Sequence, residues 1–366
     1  MVRHVLGISG GKDSAALAIY MKTKYPDMQL EFYSSDTGKE LDETYQLIDN
    51  LEIYLGIKIN ILKGAENSSE DPFDHFLQMY GGYLPSSNAR WCTKKLKLEP
   101  FEKYVGSDPV VSYVGIRGDE DREGYISTKN NIQSIFPFRQ NIWSEDVVRK
   151  VVANQHINQC HAYMADIEIK KQSEKYLTIL TTPVSMSFNQ TSKLKSLLDI
   201  DTAAFNQMVF KYLQTSEYPL AKETYFPLLD NDEILVRSDI FRILEESGVG
   251  VPQYYKEIGF EHKGKAGAYA RSRSGCYFCF YQQKIEWVWL YEQHPELYAK
   301  AMEYEKDGYT WMQEESLADL IKPERMSRIK EEYIKKTQRN KDKAQSPYLL
   351  DILAEAETEG CASCFI

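Results

Sequence analysis

Residues 6–14 read Leu-Gly-Ile-Ser-Gly-Gly-Lys-Asp-Ser, and this stretch decides the fold. The largely apolar run 5–8 predicts a short buried strand. Two glycines interrupt the run, and helix-forming residues begin at Ser14. A tight turn between a strand and a helix N-terminus directs several backbone N–H groups and a partial positive charge at one point. Because Lys12 adds a full positive charge there, the stretch predicts a polyphosphate site.

The spacing of this loop excludes two common phosphate-binding motifs. The Walker loop requires Ser or Thr directly after its lysine, whereas Lys12 is followed by Asp13. The dinucleotide motif G-x-G-x-x-G is absent. The run S-G-G-K-D-S resembles instead the pyrophosphate loop of N-type ATP pyrophosphatases. That resemblance implies that Ser9 to Ser14 hold the phosphates of ATP or of an activated sulfate nucleotide. The alternative is an ordinary glycine turn that enters a helix.

The composition is that of a soluble globular chain of 366 residues, 43% hydrophobic and 27% charged. No apolar run approaches the ~20 residues of a membrane span, so no membrane partner is expected. Met1 leads directly into the first strand with no visible signal peptide. We therefore expect a cytoplasmic protein with reduced thiols.

The net charge of −10 argues against a broad basic face for nucleic acid. Basic residues nevertheless cluster beside two cysteine-containing stretches, which favours a local anionic ligand. The clusters are Arg90, Lys94, Lys95 and Lys97, and Lys263, Lys265, Arg271 and Arg273.

A second motif, Asp36-Thr37-Gly38, follows the predicted strand 30–33. The carboxyl end of a parallel strand lies on the ligand side of a doubly wound sheet, so Asp36 is a candidate to face a nucleotide or its metal. The alternative role for Asp36 is a helix cap.

Four motifs follow one another in the order typical of one family. They are S-G-G-K-D-S at 9–14, D-T-G at 36–38, R-W-C-T-K-K-L-K at 90–97, and G-I-R at 115–117 with Glu120 and Arg122 nearby. A helix is predicted from Arg90 until Pro100. Together the motifs resemble the phosphoadenosine phosphosulfate reductase-like family. The resemblance implies an α/β fold, a doubly wound parallel sheet of the adenine-nucleotide α-hydrolase type.

The resemblance also implies roles for residues. Catalytic roles fall on Lys12, Asp13, Asp36 and Arg117, with Asp13 or Asp36 orienting Mg²⁺. The nucleotide contacts implied are Ser9, Gly10, Gly11, Lys12, Asp13, Ser14, Asp36, Thr37, Gly38, Arg90, Lys94, Lys97 and Arg122.

The family pattern divides the chain. Residues 1–143 form the first part of the nucleotide-binding domain, and 144–222 are expected to form a helical insertion. The insertion serves either as scaffold or dimer surface, or in substrate recognition. Residues 223–283 complete the domain, 284–340 form a helical C-terminal region, and 341–366 form a tail.

Four of the six cysteines fall in two C-x-x-C pairs. Cys276 and Cys279 can hold one metal centre, because two intervening residues let both thiolates face the same point. The resemblance places Cys92 across the cleft, which gives three ligands for a [4Fe–4S] cluster with one open iron. Cys160 or a tail cysteine is an alternative fourth ligand. Structural zinc and three unrelated buried thiols remain alternatives.

The chain departs from the true reductases of this family. It has no adjacent cysteine pair, and its tail carries Cys361 and Cys364 without the E-C-G-x-H signature. The tail serves either as a redox arm or as a frayed end. The pattern is closer to the iron–sulfur sulfurtransferase branch, such as the DNA phosphorothioation sulfurtransferases.

These motifs predict an enzyme that cleaves ATP at its α-phosphate and couples the cleavage to sulfur transfer. The partners implied are an adenine nucleotide and a sulfur donor such as a cysteine desulfurase, and a nucleic-acid acceptor and further subunits are left open. One alternative is a reductase of adenylyl sulfate or phosphoadenylyl sulfate that releases sulfite. Another is a non-catalytic nucleotide-binding subunit of a modification or defence complex.

Overall fold

A five-stranded parallel sheet in the order β3-β2-β1-β4-β5 forms the centre of the computed structural model, which describes residues 2–120, 127, 129–306 and 308–344. The strands are β1 Arg3–Gly7, β2 Leu30–Asp36, β3 Asn60–Lys63, β4 Val110–Tyr113 and β5 Ile132–Ile135. The chain builds outward from β1 to β3, then returns to place β4 on the other side of β1. This reversal confirms the doubly wound parallel sheet, and it opens a crevice at the carboxyl ends of β1 and β4.

The helix that follows β1 is buried along most of its length. In α1 (Lys12–Lys24) every residue from Lys12 to Met21 is buried, because α2 (Asp42–Leu55) and α11 (Arg237–Glu246) pack against it in addition to the sheet. Its Ala-rich sequence allows this close packing without loss of helix propensity. The neighbouring helices in this half of the molecule are α2 Asp42–Leu55 and α3 Pro72–Met79.

The prediction that Pro100 ends the helix of the third motif is wrong. The helical path runs from α4 (Trp91–Thr93) through a π-helical segment at Lys94–Leu98 into α5 (Glu99–Val105). Pro100 lies in the first turn of α5, where the change from π to α pairing accommodates its missing N–H. Single π-helical turns inside α-helices are frequent at functional sites.

Residues 144–222, all of which the structure describes, contain no strand. Their helices are α6 Glu145–Val151, α7 Ile157–Tyr163, α8 Ser173–Thr181, α9 Gln190–Ile200 and α10 Thr202–Gln214. Their apolar side chains belong to the same buried core as α1. Trp143, directly before this stretch, donates from its Nε1 to Asn206 Oδ1 in α10 at 2.8 Å. The division at these boundaries stays a prediction.

A second core, rich in aromatic side chains, holds the C-terminal region against α3 and α4. It includes Trp287 and Trp289, both fully buried, and Phe73 from α3. The elements here are α11 Arg237–Glu246, the antiparallel pair β6 Ile258–His262 and β7 Lys265–Tyr269, α12 Lys284–Gln293, α13 Pro295–Glu303, α14 Leu317–Leu320 and α15 Pro323–Ala344. In the part of the chain that the structure describes, no helix is both long and apolar enough to span a bilayer.

Candidate functional site

The loop between β1 and α1 lies at the crevice where the strand order reverses. Gly10 has φ +70°, a conformation that side chains other than glycine rarely adopt, and a Cβ there would lie 2.2 Å from Thr44 Cγ2. A Cβ on Gly11 would lie 2.7 Å from Ser274 Oγ. Glycine is therefore favoured at position 10 by its backbone conformation and by the contact with Thr44, and Gly11 lies close to a residue more than 250 positions away.

Hydrogen bonds fix the shape of this loop. Ser14 Oγ donates to the carbonyl of Gly11 and accepts from the amide of Ser9, each at 3.1 Å. From outside the loop, the Tyr254 hydroxyl donates to the Gly10 carbonyl at 3.1 Å. The amides of the first turn of α1 have no acceptor within the helix. The Lys12 amide donates to the Tyr255 hydroxyl at 3.4 Å, and the amides of Asp13 and Ser14 follow it at the helix N-terminus, where an anion is favoured.

A buried chain of charges connects this loop to the loop after β4. Lys12 Nζ lies 3.1 Å from Asp13 Oδ2, and Arg117 Nη1 lies 2.8 Å from Asp13 Oδ1. Arg117 also pairs with Asp119 at 2.8 Å and with Glu120 at 2.7 Å. Burial alone would raise the pKa of Asp13, but the charges of Lys12 and Arg117 hold it below its ordinary value.

The second motif forms a turn at the end of β2. Asp36 Oδ1 accepts from the Gly38 amide at 2.8 Å and from the Tyr45 hydroxyl at 3.0 Å. Asp36 Oδ2 lies 3.3 Å from Lys63 Nζ. Asp36 thus closes a side-chain turn onto Gly38, and α2 begins later, at Asp42.

The same turn contacts the cysteine stretch. The Thr37 hydroxyl donates to Glu40 Oε1 at 2.6 Å and lies 3.2 Å from Cys276 Sγ. Glu40 and Cys276 also form an isolated backbone bridge. Burial raises the pKa of Glu40, and the nearby charge of Asp36 adds to this effect. Residues 36–40 and 276–279, more than 230 positions apart, therefore form one wall of the site.

Cys92, Cys276 and Cys279 are partly buried and lie in one neighbourhood. Burial raises the pKa of Cys92 to about 11, and the charge of Cys279 adds to the rise. Burial also raises the pKa of Cys276, with further contributions from Glu40, Cys279 and Cys92. Thiolate sulfur is the ligand type of zinc and iron–sulfur centres, so the chemistry of the donor set fits such a centre.

The side chains do not form a finished metal site as they stand. Within the described residues, no group of three or more His, Cys, Asp or Glu side chains is arranged to hold a metal ion. Both oxygens of Asp13 are engaged by cations, and both oxygens of Asp36 have partners in the turn or on Lys63. Asp13 and Asp36 therefore present no ready magnesium site.

The predicted basic residues divide between the buried centre and the surface. The charge of Lys97 lowers the pKa of Cys279, which places it near the thiols, although burial raises that pKa overall. Arg90 and Arg273 both approach the ring of Tyr281, at 5.3 and 5.7 Å from its centroid. Lys94 is exposed at the start of the π-helical segment. Arg122 lies outside the described residues, as do the tail cysteines.

Several site residues escaped the sequence prediction. Tyr254 touches the phosphate-loop candidate through its hydroxyl, and the ring of Tyr255 lies 5.0 Å from Lys12 Nζ. Thr44 packs against Gly10. The stretch Pro252-Gln253-Tyr254-Tyr255 resembles the family segment in which a loop runs back across the active-site mouth, although neither tyrosine was predicted as a site residue. No motif marks Thr44.

Residues 3–179 match the family model of the phosphoadenosine phosphosulfate reductase domain. The match covers the five-stranded sheet and the phosphate-loop candidate and ends within α8. The match covers slightly less than half of the chain, so residues 3–179 are similar to this domain, and their fold is a mixed α/β fold around the parallel sheet. The turn 276–279 lies beyond the matched residues.

Three curated relatives align over parts of the chain. The uncharacterized protein MJ0066 of Methanocaldococcus jannaschii is 35% identical over 146 residues, 36% of this chain. The tRNA-specific 2-thiouridylase MnmA of Hydrogenovibrio crunogenus is 27% identical over 34% of this chain. The uncharacterized nin region protein ORF290 of Escherichia phage lambda is 27% identical over 32% of it. The chain spans 28%, 36% and 49% of the lengths of these relatives, respectively.

Proposed function

We propose that the chain is an enzyme that binds ATP in the crevice and cleaves it at the α-phosphate to activate an acceptor for sulfur transfer. One observation carries the proposal: the 9–14 loop places Lys12 and the first-turn amides of α1 at the point where the strand order reverses. A polyphosphate is the ligand that this arrangement of donors and charge suits best.

The chain's own residues have defined parts in this reaction. An acceptor oxygen attacks the α-phosphorus, a new P–O bond forms, and the bond to the bridging oxygen of pyrophosphate breaks. Lys12 and the loop amides stabilise the negative charge that develops on the departing pyrophosphate. Asp13 and Arg117 hold Lys12 and the loop in place through the buried charge chain. Sulfide-level sulfur then bonds to the activated atom of the acceptor while the bond of that atom to the AMP oxygen breaks, and AMP leaves. Where the donor is the persulfide of a cysteine desulfurase, a thiol reductant supplies the two electrons that bring the outer sulfur to the sulfide level.

Cys92, Cys276 and Cys279 are the residues proposed to hold an iron–sulfur cluster, with zinc as the alternative. When bound, an iron–sulfur cluster with an open iron supplies a binding place for sulfide. Support comes from the donor type, from the mutual electrostatic effects of the three thiols, and from the contact of Cys276 with Thr37 beside the crevice.

The match to the reductase domain favours a second candidate function. In this alternative the nucleotide is adenylyl sulfate or its 3′-phosphate, and reductive cleavage releases sulfite. The two functions differ in their products: AMP and pyrophosphate in the first, sulfite in the second.

Product analysis under anaerobic conditions tests the proposal. The protein is incubated with ATP, sulfide and total cellular nucleic acid as an acceptor pool, and separately with each sulfonucleotide and a dithiol. We expect AMP and pyrophosphate in the first reaction and no sulfite in the second. Sulfite without ATP consumption would support the reductase, and tight ATP binding without any product would support a non-catalytic subunit.

Metal analysis tests the thiol centre separately. Iron, sulfide and zinc are measured in protein purified without oxygen, as wild type, Cys276→Ser and Cys160→Ser. Cys160 is fully buried in α7, away from the other thiols, and is the matched control. We expect bound iron in wild type and in the control but not in Cys276→Ser. Stoichiometric zinc with no iron would show that the thiol centre holds zinc and not an iron–sulfur cluster.

A further inference from the structure

Arg271 is a buried cation for which the described part of the chain supplies no counter-ion. Its side chain is only 2% exposed, and its Nη2 donates to the carbonyl of Cys276 at 3.1 Å. Its Nε and Nη1 have no hydrogen-bond partner among the described residues. Its guanidinium carbon lies 5.9 Å from the ring centroids of both Tyr254 and Trp289.

The acidic side chain that contacts the residue next to Arg271 already has hydrogen-bond partners of its own. Glu286 is buried, and its two oxygens accept from the amides of Ser272 and Gln283 at 2.6 and 2.7 Å. Among the residues that the structure describes, no carboxylate lies within ion-pair distance of Arg271. Burying an unpaired charge costs far more than two aromatic faces and one carbonyl can offset.

The surroundings of Arg271 are rich in unpartnered donors as well. Ser272 Oγ and Trp289 Nε1 are also buried without hydrogen-bond partners in the described structure. A buried cation with further unused donors indicates that an anionic group belongs in this region. Arg271 already contacts the cysteine turn through the carbonyl of Cys276, and the thiols of this turn would carry negative charge once deprotonated on a metal.

The net charge of the three cysteines in each protonation state shows which state could provide a counter-ion for Arg271. Neutral thiols supply no charge. Three thiolates around one divalent metal ion carry a net charge of −1, which one guanidinium neutralises. N–H groups directed at metal-bound sulfur are a known means by which surrounding residues stabilise and tune such centres.

We propose that Arg271 is a positioning residue for a metal–thiolate centre at Cys92, Cys276 and Cys279, which it stabilises by fixing the Cys276 carbonyl and by supplying the buried compensating charge. The inference rests on the thiol centre under Proposed function. It goes further by predicting that Arg271 lowers the stability of the metal-free protein and strengthens the binding of metal.

This pair of opposite effects makes the test specific. The full chain is freed of metal and titrated anaerobically with Co²⁺, and binding is followed by thiolate-to-cobalt charge-transfer absorption. The variants are Arg271→Met, Arg271→Lys and the control Arg242→Met, which changes an exposed arginine on α11. Thermal unfolding of each metal-free protein is measured in parallel.

We expect Arg271→Met to bind Co²⁺ at least about tenfold more weakly than wild type, the usual cost of losing a residue that supports metal ligands. Its metal-free form should be no less stable than wild type, because an uncompensated charge has been removed. Arg271→Lys, which keeps the charge, should lie between Arg271→Met and wild type. The control should match wild type in both measurements.

Three results would overturn the inference while leaving the thiol centre intact. The first is equal Co²⁺ affinity in wild type and Arg271→Met. The second is an equal loss of Co²⁺ affinity in Arg271→Met and Arg271→Lys. The third is a metal-free Arg271→Met protein that is less stable than metal-free wild type or is unfolded. The last would show that Arg271 has an ordinary structural role. Failure of wild type to bind Co²⁺, together with the absence of iron, sulfide and zinc from protein purified without oxygen, would overturn both the centre and the role of Arg271.

Discussion

Arg117 Nη1 and Asp13 Oδ1 lie 2.8 Å apart and join the loop after β1 to the loop after β4. These loops leave the two strands between which the strand order reverses. The ion pair therefore connects the two sides of the crevice, and Lys12 Nζ contacts the other oxygen of Asp13.

Asp13→Asn should destabilise the protein by about 2–4 kcal/mol, because it leaves two buried cations with one fewer counter-charge. Asp119 and Glu120 still pair with Arg117, which limits the loss. Urea unfolding at pH 7 measures the difference. A change below experimental error would show that the charge chain is not an important support of the loop.

The same variant has a defined pH dependence. The pKa of Asp13 lies below its ordinary value of 3.8, because Lys12 and Arg117 outweigh the effect of burial. A depressed pKa gives stability that is present above pH 3.8 and is lost as the pH falls through the lower folded value. The stability difference between wild type and Asp13→Asn should therefore shrink below about pH 4. A difference that stays constant down to about pH 2.5 would contradict this assignment.

Gly10→Ala should impair nucleotide binding and cost about 1–3 kcal/mol, since it adds a clash with Thr44 to an unfavourable φ. Gly56→Ala is the matched control, because Gly56 has φ +65° with nothing within 4 Å of its added Cβ. Thr44→Ser removes the clashing Cγ2 and keeps the hydroxyl. The double variant Gly10→Ala with Thr44→Ser should lose only as much stability as Gly56→Ala. If the second substitution restores no stability, the clash is not the cause of the loss.

Glu315 should support the C-terminal region in a pH-dependent way. Its hydrogen bonds with Arg325, joined by those from Lys284, lower its pKa to about 2 from 4.5. Glu315→Gln should lower the free energy of unfolding by about 1–3 kcal/mol at pH 7. Because the folded pKa is depressed, this contribution is complete above about pH 4.5 and disappears as the pH falls towards 2.

The control for this prediction is the neighbouring Glu314→Gln. Glu314 is 84% exposed and lies 3.4 Å from Lys284, so its loss should change stability little at any pH. Urea unfolding of both variants across this pH range makes the comparison. Equal effects of the two substitutions at pH 7 would contradict the role given to Glu315.

The phosphate-loop candidate could be predicted from sequence because its determinants are local. Strand 3–7, the glycine turn and α1 follow directly from residues 5–20. The family resemblance carried by the four motifs then implied the doubly wound sheet. The helix through Pro100 was missed, since a π-helical segment at Lys94–Leu98 has no sequence signal of its own.

The rest of the site depends on contacts between distant segments. The family resemblance implied a catalytic role for Arg117, and the structure surrounds it with the carboxylates of Asp13, Asp119 and Glu120. The contact of Thr37 with Cys276 requires residues 239 positions apart to meet on one wall, and no local pattern encodes it. The unpaired Nε and Nη1 of buried Arg271 become visible only when the neighbours within the described structure are known.

Binding of ATP measured by titration calorimetry, on wild type, Lys12→Met and Lys22→Met, tests the central claim most directly. Lys22 lies in the last turn of the same helix and is exposed, so its substitution controls for lost charge on α1. We predict that wild type and Lys22→Met bind ATP alike, and that Lys12→Met binds at least about tenfold more weakly, the value of one charge-assisted hydrogen bond. Equal affinity in all three proteins would contradict the assignment of the 9–14 loop as the phosphate site.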